Sequence, residues 1–508
     1  MEGIPQIVDS RRLPVEISVY PHFFDHHIEG RAVLPAVEAM QVLAKAVRNF
    51  RPDLSGAVMT RGRFEKFLQI PADSPRIEAV VEMELFSGGG VRALLLTKTR
   101  SGKSAITRSL IHAAVDFPAT PDGDTAPPMD LQALLEGVCV KVSPEAIYRE
   151  LVPFGPAYRN ISAPLYISEA GAVARIAVPE TPGGRQDEGV LGSPFALDAA
   201  FHAACVWSQC YKDTVAFPVG FERRSVYHPT QPASTCFGRI TPLRTDASPL
   251  VFDIWLYDSE GRLCECVRGA YMQDVSAGRL TPPGWIKRAG EGRLLEKIRQ
   301  ACRELCVAEI KTLPPFADGA LSPTEKTRFE KMGTRRRQSF LAARLACKRI
   351  SRRLSGNDLR TAAADIHTLC PDLERPCCRH IDTAEETLCS VSHDDRFVAA
   401  AAADGKIGID VEKVSGRVLR SQGLFMSRAE QELVRSSALG AAAAAIRIWS
   451  VKEAAAKALN LNLAETWQRV TVTQVGCDDS RFQIDSTGPF TACHNTVDGH
   501  VFTLIRLP

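Results

Sequence analysis

The spacing of apolar residues predicts two helices of different character in the first half of the chain. Apolar residues recur at helical spacing from Pro35 to beyond Val47, which predicts an amphipathic helix over 35–50. Ser193 and Pro194 suit an N-cap and a first helical position, and a mostly apolar stretch follows them. Alternating segments such as L-V-F-D-I-W-L-Y predict strands around each helix. The pattern therefore predicts two copies of one α+β unit.

Two breaks in composition divide the chain of 508 residues. The first is a segment rich in Pro, Asp and Gly at 119–130, and the second lies at 276–285. The predicted domains are 1–118, 131–276 and 290–508, and a chain of this length is expected to form more than one core.

Composition narrows the class of protein. The hydrophobic content of 45% and the charged content of 24% are those of a globular protein, and a net charge of +3 gives no reason to expect nucleic acid as a partner. The sequence shows neither a signal-peptide pattern nor an apolar run of the roughly 18 residues needed to span a membrane. The fifteen cysteines include the close pairs Cys264/Cys266 and Cys377/Cys378, which lack the C-x-x-C spacing of zinc sites. A cytoplasmic enzyme with reduced thiols, bound neither to nucleic acid nor to a membrane, is the expectation.

Candidate chemistry in the first half begins with Asp198 and His202. They are four residues apart and share one face of the apolar helix, so burial is expected to raise the pKa of the carboxyl group and make it an acid. His26 lies in a loop before the first helix. From the residues alone, a buried Asp–His pair with no catalytic role and an ordinary loop histidine are the more common cases.

Four ordered motifs change that balance, because together they resemble the dehydratase domains of polyketide synthases. In chain order they are H-x-x-x-G-x-x-x-x-P, F-G-P-A-Y-R, D-x-x-x-Q/H and F-P-V-G-F-E-R. The matching positions are His26, Gly30, Pro35, Asp198 and His202, with 154–159 and 217–223. The register selects His26 rather than His27, because residue 31, where His27 would need its glycine, is Arg31. His27 is then expected to be a neighbour of the site or to lie along the substrate channel.

The resemblance implies a double hotdog fold, in which two helices are each wrapped by an antiparallel sheet. It also implies that His26 removes the α-proton of a 3-hydroxyacyl thioester and that Asp198 protonates the departing hydroxyl. His202, Gly30 and Pro35 are then expected to belong to the substrate site, with amides after Gly30 or Pro35 polarising the thioester carbonyl. A hotdog thioesterase or isomerase is the alternative, since the fold hosts several acyl-thioester reactions.

The last block contains two acidic motifs. Asp410 and Glu412 alternate in a strand-like run and point to one face, while Trp449, Glu453 and Lys457 recur every four residues along a predicted helix. Three convergent carboxylates suit Mg²⁺. Taken alone, the first motif is more typical of an exposed strand with alternating acids, and the second of an ordinary Glu–Lys pair on a helix.

Further motifs in order resemble the long, pseudo-dimeric class of phosphopantetheinyl transferases. These are L-S-P-T-E-K at 321–326, R-R-R-Q-S-F-L-A-A-R at 335–344, L-E-R-P at 373–376, V-S-H-D-D at 391–395 and F-M-S-R-A-E at 425–430. Glu374 replaces a glycine that the family usually has. A dehydratase followed by such a transferase also resembles the C-terminal part of enediyne-type polyketide synthases.

This second resemblance implies Mg²⁺ as cofactor and coenzyme A as the donor of phosphopantetheine to a serine of an acyl carrier protein. Asp410, Glu412 and Glu453 would hold the metal, and Glu453 or a metal-linked water would take the serine proton. The implied contacts with coenzyme A phosphates are Ser392, His393, Arg344, Arg375, Lys452 and Lys457. The partners implied are an acyl carrier protein and a separate polyketide or fatty acid synthase. Two alternatives remain open: a transferase whose hotdog half only docks the carrier, and a non-catalytic assembly scaffold.

Overall fold

The computed structural model describes residues 6–100, 107–120, 134–180, 191–356, 361–369, 376–379 and 386–508. The chain forms two compact units, Met1–Ala126 with Val140–Gly290, and Pro127–Cys139 with Glu291–Pro508. The described residues 134–139 therefore belong to the second unit, although the sequence assigns them to the block 131–276. A bridge between Glu136 and Ala308 and the ion pair of Glu136 with Arg349 hold them there.

The first unit is built on one antiparallel sheet of twelve strands and a separate two-stranded hairpin. The strands are β1 (Ile7–Ser18), β2 (His27–Ile28), β3 (Arg31–Ala32), β4 (Val58–Phe64), β5 (Arg76–Phe86), β6 (Val91–Arg100), β7 (Thr107–Phe117), β8 (Val140–Val142), β9 (Leu165–Ser168), β10 (Gly171–Ala177), β11 (Phe217–Val226), β12 (Thr235–Arg244), β13 (Leu250–Tyr257) and β14 (Leu263–Gln273). The order of the large sheet is β1-β5-β6-β7-β4-β11-β14-β13-β12-β10-β9-β8. Strands β4 and β11 pair in the middle and join two similar strand sets.

Each strand set carries one long helix. The helices of this unit are α1 (Ala36–Phe50), α2 (Pro144–Ala146), α3 (Pro194–Tyr211) and α4 (Gly284–Ala289), with 3₁₀ turns at Pro21–Asp25 and Pro156–Tyr158 and a π turn at Ile147–Leu151. α1 packs on β5, β6 and β7, and α3 packs on β9 to β13. The predicted α+β class and the two helix-and-sheet repeats of a double hotdog are confirmed.

The two helices differ in burial as their sequences predict. Met40 and Leu43 of α1 are fully buried, whereas Lys45 on its other face is exposed. α3 is buried from Pro194 to Cys210, which accounts for its nearly continuous apolar sequence. The predicted start of α1 shifts by one residue, because Pro35 is the N-cap rather than the first helical residue.

The second unit repeats a simpler plan twice, with one long helix on each of two antiparallel sheets. The first half contains α5 (Glu296–Ala301), β15 (Glu304–Glu309), α6 (Pro323–Glu330), α7 (Thr334–Leu354), β16 (Cys377–Arg379), β17 (Glu386–His393) and β18 (Phe397–Ala403), in sheet order β15-β18-β17-β16. The second half contains β19 (Lys406–Lys413), α8 (Gln422–Phe425), α9 (Arg428–Ser436), α10 (Ala441–Leu459), α11 (Leu463–Arg469), β20 (Val470–Val475), β21 (Asp479–Ile484), β22 (Thr487–Val497) and β23 (His500–Leu507), in sheet order β19-β23-β22-β21-β20. Short 3₁₀ turns lie at Ile310–Thr312, Ala317–Ala320, Ala363–Asp365 and Gly416–Arg420.

A buried ion pair secures the first half. Ser322 and Glu325 form a capping box at the start of α6, and Glu325 Oε2 lies 2.7 Å from Nζ of Lys348 on α7. The Lys348 ammonium also donates to the backbone oxygens of Ala320 and Ala363. Both charged side chains are at most 1% exposed, so this pair is part of the core.

The second half contains the same arrangement. Ser427 and Glu430 form a capping box at the start of α9, and Glu430 Oε2 lies 2.9 Å from Nζ of Lys452 on α10. The Lys452 ammonium donates to the backbone oxygen of Phe425, and the Val472 amide donates to Glu430 Oε1. We call the two arrangements the glutamate–lysine locks. The motifs L-S-P-T-E-K and F-M-S-R-A-E are therefore corresponding structural elements of two halves of one unit.

Among the described helices, none combines the length and the apolar character that crossing a bilayer requires.

Candidate active sites

His26 lies directly after the 3₁₀ turn Pro21–Asp25, and its ring is buried. Its Nδ1 is 3.1 Å from the backbone oxygen of Val33. Because a carbonyl oxygen only accepts, Nδ1 carries the hydrogen and Nε2 keeps a free lone pair. Burial lowers the pKa of His26 to about 4, against a smaller opposing effect of the Asp198 charge. Its imidazole is therefore neutral at pH 7 and able to act as a base.

Asp198 and His202 are both buried on α3, and Asp198 Oδ2 lies 3.0 Å from His202 Nε2. The contact lacks hydrogen-bond geometry, so these two atoms remain without a hydrogen-bond partner. The predicted rise in the pKa of Asp198 is wrong. Burial pushes this pKa up, but the charge and proximity of His202, together with the charge of His26, outweigh it and leave the pKa below its usual value.

One cavity of about 420 Å³ in the first unit brings His26, Asp198 and His202 together. Most of its remaining lining is apolar, and includes Leu34, Phe64, Leu68, Leu95, Val152, Phe154, Phe201 and Val219. An apolar cavity with a few convergent polar groups is the usual form of a small-molecule site. The cavity could hold an acyl chain with its polar end at the histidines and the aspartate.

Gly30 and Pro35 are not among the residues that line this cavity. Gly30 has φ +76 and follows Glu29 at φ +49, so the pair forms the tight turn that joins β2 and β3. Space around Gly30 is open, so its conformation and not a close approach explains the glycine. Pro35 caps α1, and the next residue, Ala36, does line the cavity.

Asp25 is a site residue that no motif in the sequence indicated. Its carboxylate accepts from the Ala157 amide at 2.8 Å, and its backbone oxygen accepts from the Gly155 amide at 2.7 Å. These bonds fasten the F-G-P-A-Y loop of the second repeat to the residue next to His26. The Phe154 ring consequently packs 4.4 Å from the His26 ring. The signal in the sequence that could have indicated Asp25 is its position directly before the candidate base, His26.

A third histidine in the cavity was also missed. The buried His112 bonds through Nδ1 to the Lys66 backbone oxygen at 3.0 Å, and its Nε2 is 2.7 Å from the Thr97 hydroxyl. Both ring nitrogens are thus engaged, and burial lowers its pKa. His112 is a fixed wall of the cavity rather than a free base.

In the second unit, Asp410 forms the centre of an acidic cluster. Its carboxylate is buried on β19, and Oδ1 accepts from Ser392 Oγ at 2.9 Å and from Lys457 Nζ at 2.8 Å. Its Oδ2 is buried without a hydrogen-bond partner. Lys457 also donates to Ser392 Oγ at 2.9 Å. Residues from β17, β19 and α10 therefore meet at one carboxylate with a free oxygen.

Glu412 and Glu453 complete the cluster. Burial, together with the Asp410 charge, raises the pKa of Glu412 to about 7, although Trp449 Nε1 donates to its Oε1 at 3.1 Å. The pKa of Glu453 is raised by burial and then by the Asp410 charge, with Lys457 opposing. The predicted face of α10, with its spacing of four residues, is the face that meets β19.

The cluster fits a hard divalent cation. An unpartnered buried oxygen and raised glutamate pKa values mark a concentration of negative charge that Mg²⁺ would relieve. Asp410, Glu412 and Glu453 would hold it. Their oxygens are not all within 4.8 Å of one another, and Mg²⁺ usually keeps several water ligands beside one or two carboxylates.

Lys452 does not reach this cluster, which corrects its prediction as a phosphate contact. It belongs to the second glutamate–lysine lock, where it is 1% exposed. Successive residues of a helix point about 100° apart, so Lys452 cannot share the face of its neighbour Glu453.

The other predicted phosphate contacts differ in location. His393 follows Ser392 at the end of β17, and burial together with the Lys457 charge lowers its pKa. Arg344 is instead buried on α7, where it donates to the Thr368 backbone oxygen at 2.9 Å and is not a surface cation. Arg375, like Glu374, lies outside the described residues.

Two regions of the chain match models of known protein families. Residues 126–282 match the family model of the polyketide synthase dehydratase N-terminal domain, and residues 406–505 match that of the 4'-phosphopantetheinyl transferase superfamily. The chain therefore contains one segment that is similar to polyketide synthase dehydratases and one that is similar to the phosphopantetheinyl transferase superfamily. The first match includes Asp198 and His202 and begins after His26; the second includes all three carboxylates of the acidic cluster.

Several solved dehydratases resemble the chain. The dehydratase domain from the CurF module of curacin polyketide synthase is 19% identical, with a TM-score of 0.45, over 53% of this chain and 96% of that one. A dehydratase domain of a mycocerosic acid synthase-like polyketide synthase is 18% identical, with a TM-score of 0.45, over 54% and 95%. A trans-AT polyketide synthase dehydratase domain from Brevibacillus brevis is 20% identical, with a TM-score of 0.43, over 52% and 93%. Among curated proteins no match was found.

Proposed function

We propose that this chain is a bifunctional enzyme of polyketide or fatty acid biosynthesis. Its first unit dehydrates a 3-hydroxyacyl group on an acyl carrier protein to the enoyl group. Its second unit transfers 4'-phosphopantetheine from coenzyme A to a serine of an apo carrier protein. The convergence of His26 and Asp198 in one apolar cavity supports the first activity. The buried Asp410 beside Lys457 supports the second.

Dehydration needs a base that acts at one carbon of a C–C bond and an acid that acts at the hydroxyl group on the other carbon. His26 Nε2 takes the proton from the carbon next to the thioester carbonyl, and the electron pair forms the double bond. The C3–O bond breaks as Asp198 delivers a proton to the hydroxyl, and water leaves. The Val33 carbonyl holds the imidazole in the tautomer that this step requires.

Asp198 must first gain the proton that it delivers. Part of what lowers its pKa in the free protein is the charge of a protonated His26. This effect is lost at neutral pH, because the His26 pKa is about 4. An acyl chain that fills the cavity removes water and adds to the burial that raises the aspartate pKa. Substrate binding is therefore expected to favour the acid form of Asp198.

Transfer of phosphopantetheine is a displacement at phosphorus. The carrier serine oxygen attacks the phosphorus next to the pantetheine, and the bond from that phosphorus to the bridging oxygen breaks, releasing the adenosine bisphosphate part. Glu453 accepts the serine proton. Lys457, His393 and Ser392 would orient the phosphates. Bound Mg²⁺ would supply charge neutralisation at the pyrophosphate.

The partners follow from these substrates. Both reactions act on a carrier protein, so a separate polyketide or fatty acid synthase would supply it, and coenzyme A and Mg²⁺ place the reaction in the cytoplasm. The same carrier could be activated by the second unit and have its cargo dehydrated by the first.

The decisive experiment follows an apo carrier protein by intact mass during incubation with the full-length chain, coenzyme A and Mg²⁺. A gain of one phosphopantetheine is expected, and Asp410→Ala should abolish it. A carrier loaded with a 3-hydroxyacyl group should then lose one water, and His26→Phe should prevent this loss while leaving the transfer intact.

The alternatives predict different masses. A transferase with a non-catalytic docking half would give the phosphopantetheine gain without any loss of water. An assembly scaffold would give neither change on any carrier, and titration with coenzyme A would detect no binding.

A further inference from the structure

Three cysteines that are distant in sequence meet inside the first half of the second unit. Cys347, Cys378 and Cys389 lie on α7, β16 and β17, and their sulfur atoms all fall within 4.8 Å of one another. We propose that these three thiols form a binding site for a soft metal ion, with Cu⁺ as the ion that fits three sulfur ligands. The site is independent of the proposed transfer and dehydration reactions.

The strand register explains why the sulfurs converge. Cys378 pairs with Thr387 across β16 and β17, and Cys389 lies two residues beyond Thr387 on the same face. Cys378 and Cys389 are therefore diagonal neighbours on one face of the sheet. α7 packs on that sheet, and Cys347 belongs to the same buried core as Cys378.

The burial of the three cysteines suits an ion site. Cys347 and Cys378 are fully buried, whereas Cys389 is only partly buried. Two of the three ligands are thus held in the core and the third lies at its edge.

A buried positive charge supports ionised sulfur. Arg344 is one turn before Cys347 on α7, is 6% exposed, and its Nε has no hydrogen-bond partner. The guanidinium thus favours thiolates next to a cation.

The ligand set discriminates between ions. The described part of the chain supplies three sulfurs to this site. Thiolates select soft ions such as Cu⁺, whereas structural zinc almost always takes four protein ligands in a tetrahedron. Binding Cu⁺ replaces thiol protons, which pass to solvent, and no electron is transferred. A bound ion would tie β16 and β17 to α7.

The test uses the full-length protein under nitrogen with Cu⁺ added as its acetonitrile complex and bicinchoninate as competitor. One copper per chain should resist the competitor, and the melting temperature of the second unit should rise by about 5–10 °C at a hundredfold excess over Kd. Cys347→Ala, Cys378→Ala and Cys389→Ala should each lose the resistant copper and the shift.

The matched control is Cys306→Ala. Cys306 is fully buried in the same core but lies outside the trio, so its variant should keep both effects. Copper retained by Cys389→Ala, the variant least expected to disturb folding, would overturn the proposal. So would the absence of resistant copper in the unmodified chain, or Zn²⁺ held as tightly as Cu⁺ by the same three cysteines.

Discussion

The ammonium of Lys457 lies 2.8 Å from Oδ1 of Asp410, and the second oxygen of this buried carboxylate has no partner. One oxygen is thus held by protein donors while the other is left for an incoming group. The positive charge of Lys457 also opposes the burial and the Asp410 charge, which together raise the pKa of Glu453. The ion pair with Lys457 therefore determines which oxygen of Asp410 remains available to a ligand.

Lys457→Met should lower kcat/KM for phosphopantetheine transfer by about a hundredfold, because it removes the positive charge that we propose orients the phosphates. The measurement is the initial rate of carrier modification at varied coenzyme A. Lys406→Met is the control, since Lys406 is exposed at the start of the same strand as Asp410. Equal rates for the two variants would show that Lys457 has only a structural part.

Lys452→Met should destabilise the second half of the second unit by about 3–5 kcal/mol, because it leaves the Glu430 charge buried without its partner. Hydrogen exchange at the Val472 amide, which donates to Glu430, reports this loss. At low temperature the KM for coenzyme A should be unchanged. A raised KM with unaltered exchange would restore Lys452 as a phosphate contact.

The kcat/KM for dehydration should rise about tenfold per unit as the pH falls from about 8 to about 6. In this range His26 stays neutral, because its pKa is about 4, while Asp198, whose pKa is below its usual value, must gain one proton to act as the acid. The measurement is the initial rate with carrier-bound 3-hydroxyacyl substrate. A flat profile would mean that Asp198 already holds its proton in the free enzyme.

Gly155→Ala should reduce dehydration by about a hundredfold and leave transfer unchanged, because misplacing a catalytic group by about 1 Å has effects of this size. Gly155 has φ −71, which alanine adopts freely, but an added Cβ would overlap the Asp25 carboxylate. The loop next to His26 must then move. Gly88→Ala is the control, since open space surrounds Gly88. Similar activity in both variants would contradict a positioning role for the Asp25 contact.

Local sequence signals predict the elements well where a single residue type determines the backbone. Pro35 cannot lie within a helix beyond its first turn, so it defines the start of α1 to within one residue. The spacing of four residues is also sufficient to assign Asp198 with His202, and Glu453 with Lys457, to common helix faces.

Features that depend on packing between distant segments are not predictable in this way. The pKa of Asp198 is lowered mainly by His202 on the same helix, and the further contribution of His26, which approaches from another loop, depends on the fold. The three cysteines have no regular spacing, since strand register and helix packing bring them together. Lys452 and Lys457 lie on different faces of one helix by their spacing, but only the fold shows that Lys452 pairs with Glu430 and Lys457 with Asp410.

The two glutamate–lysine locks have the same form, yet only the second half has the acidic cluster described here. The Ser-x-x-Glu signal with a lysine on the following long helix therefore reports architecture and carries no information about catalysis. A relative that had lost its carboxylates would keep both locks and would still match such motifs. Recognition of an active transferase should rest instead on Asp410, Glu412 and Glu453, which form the acidic cluster and belong to neither lock.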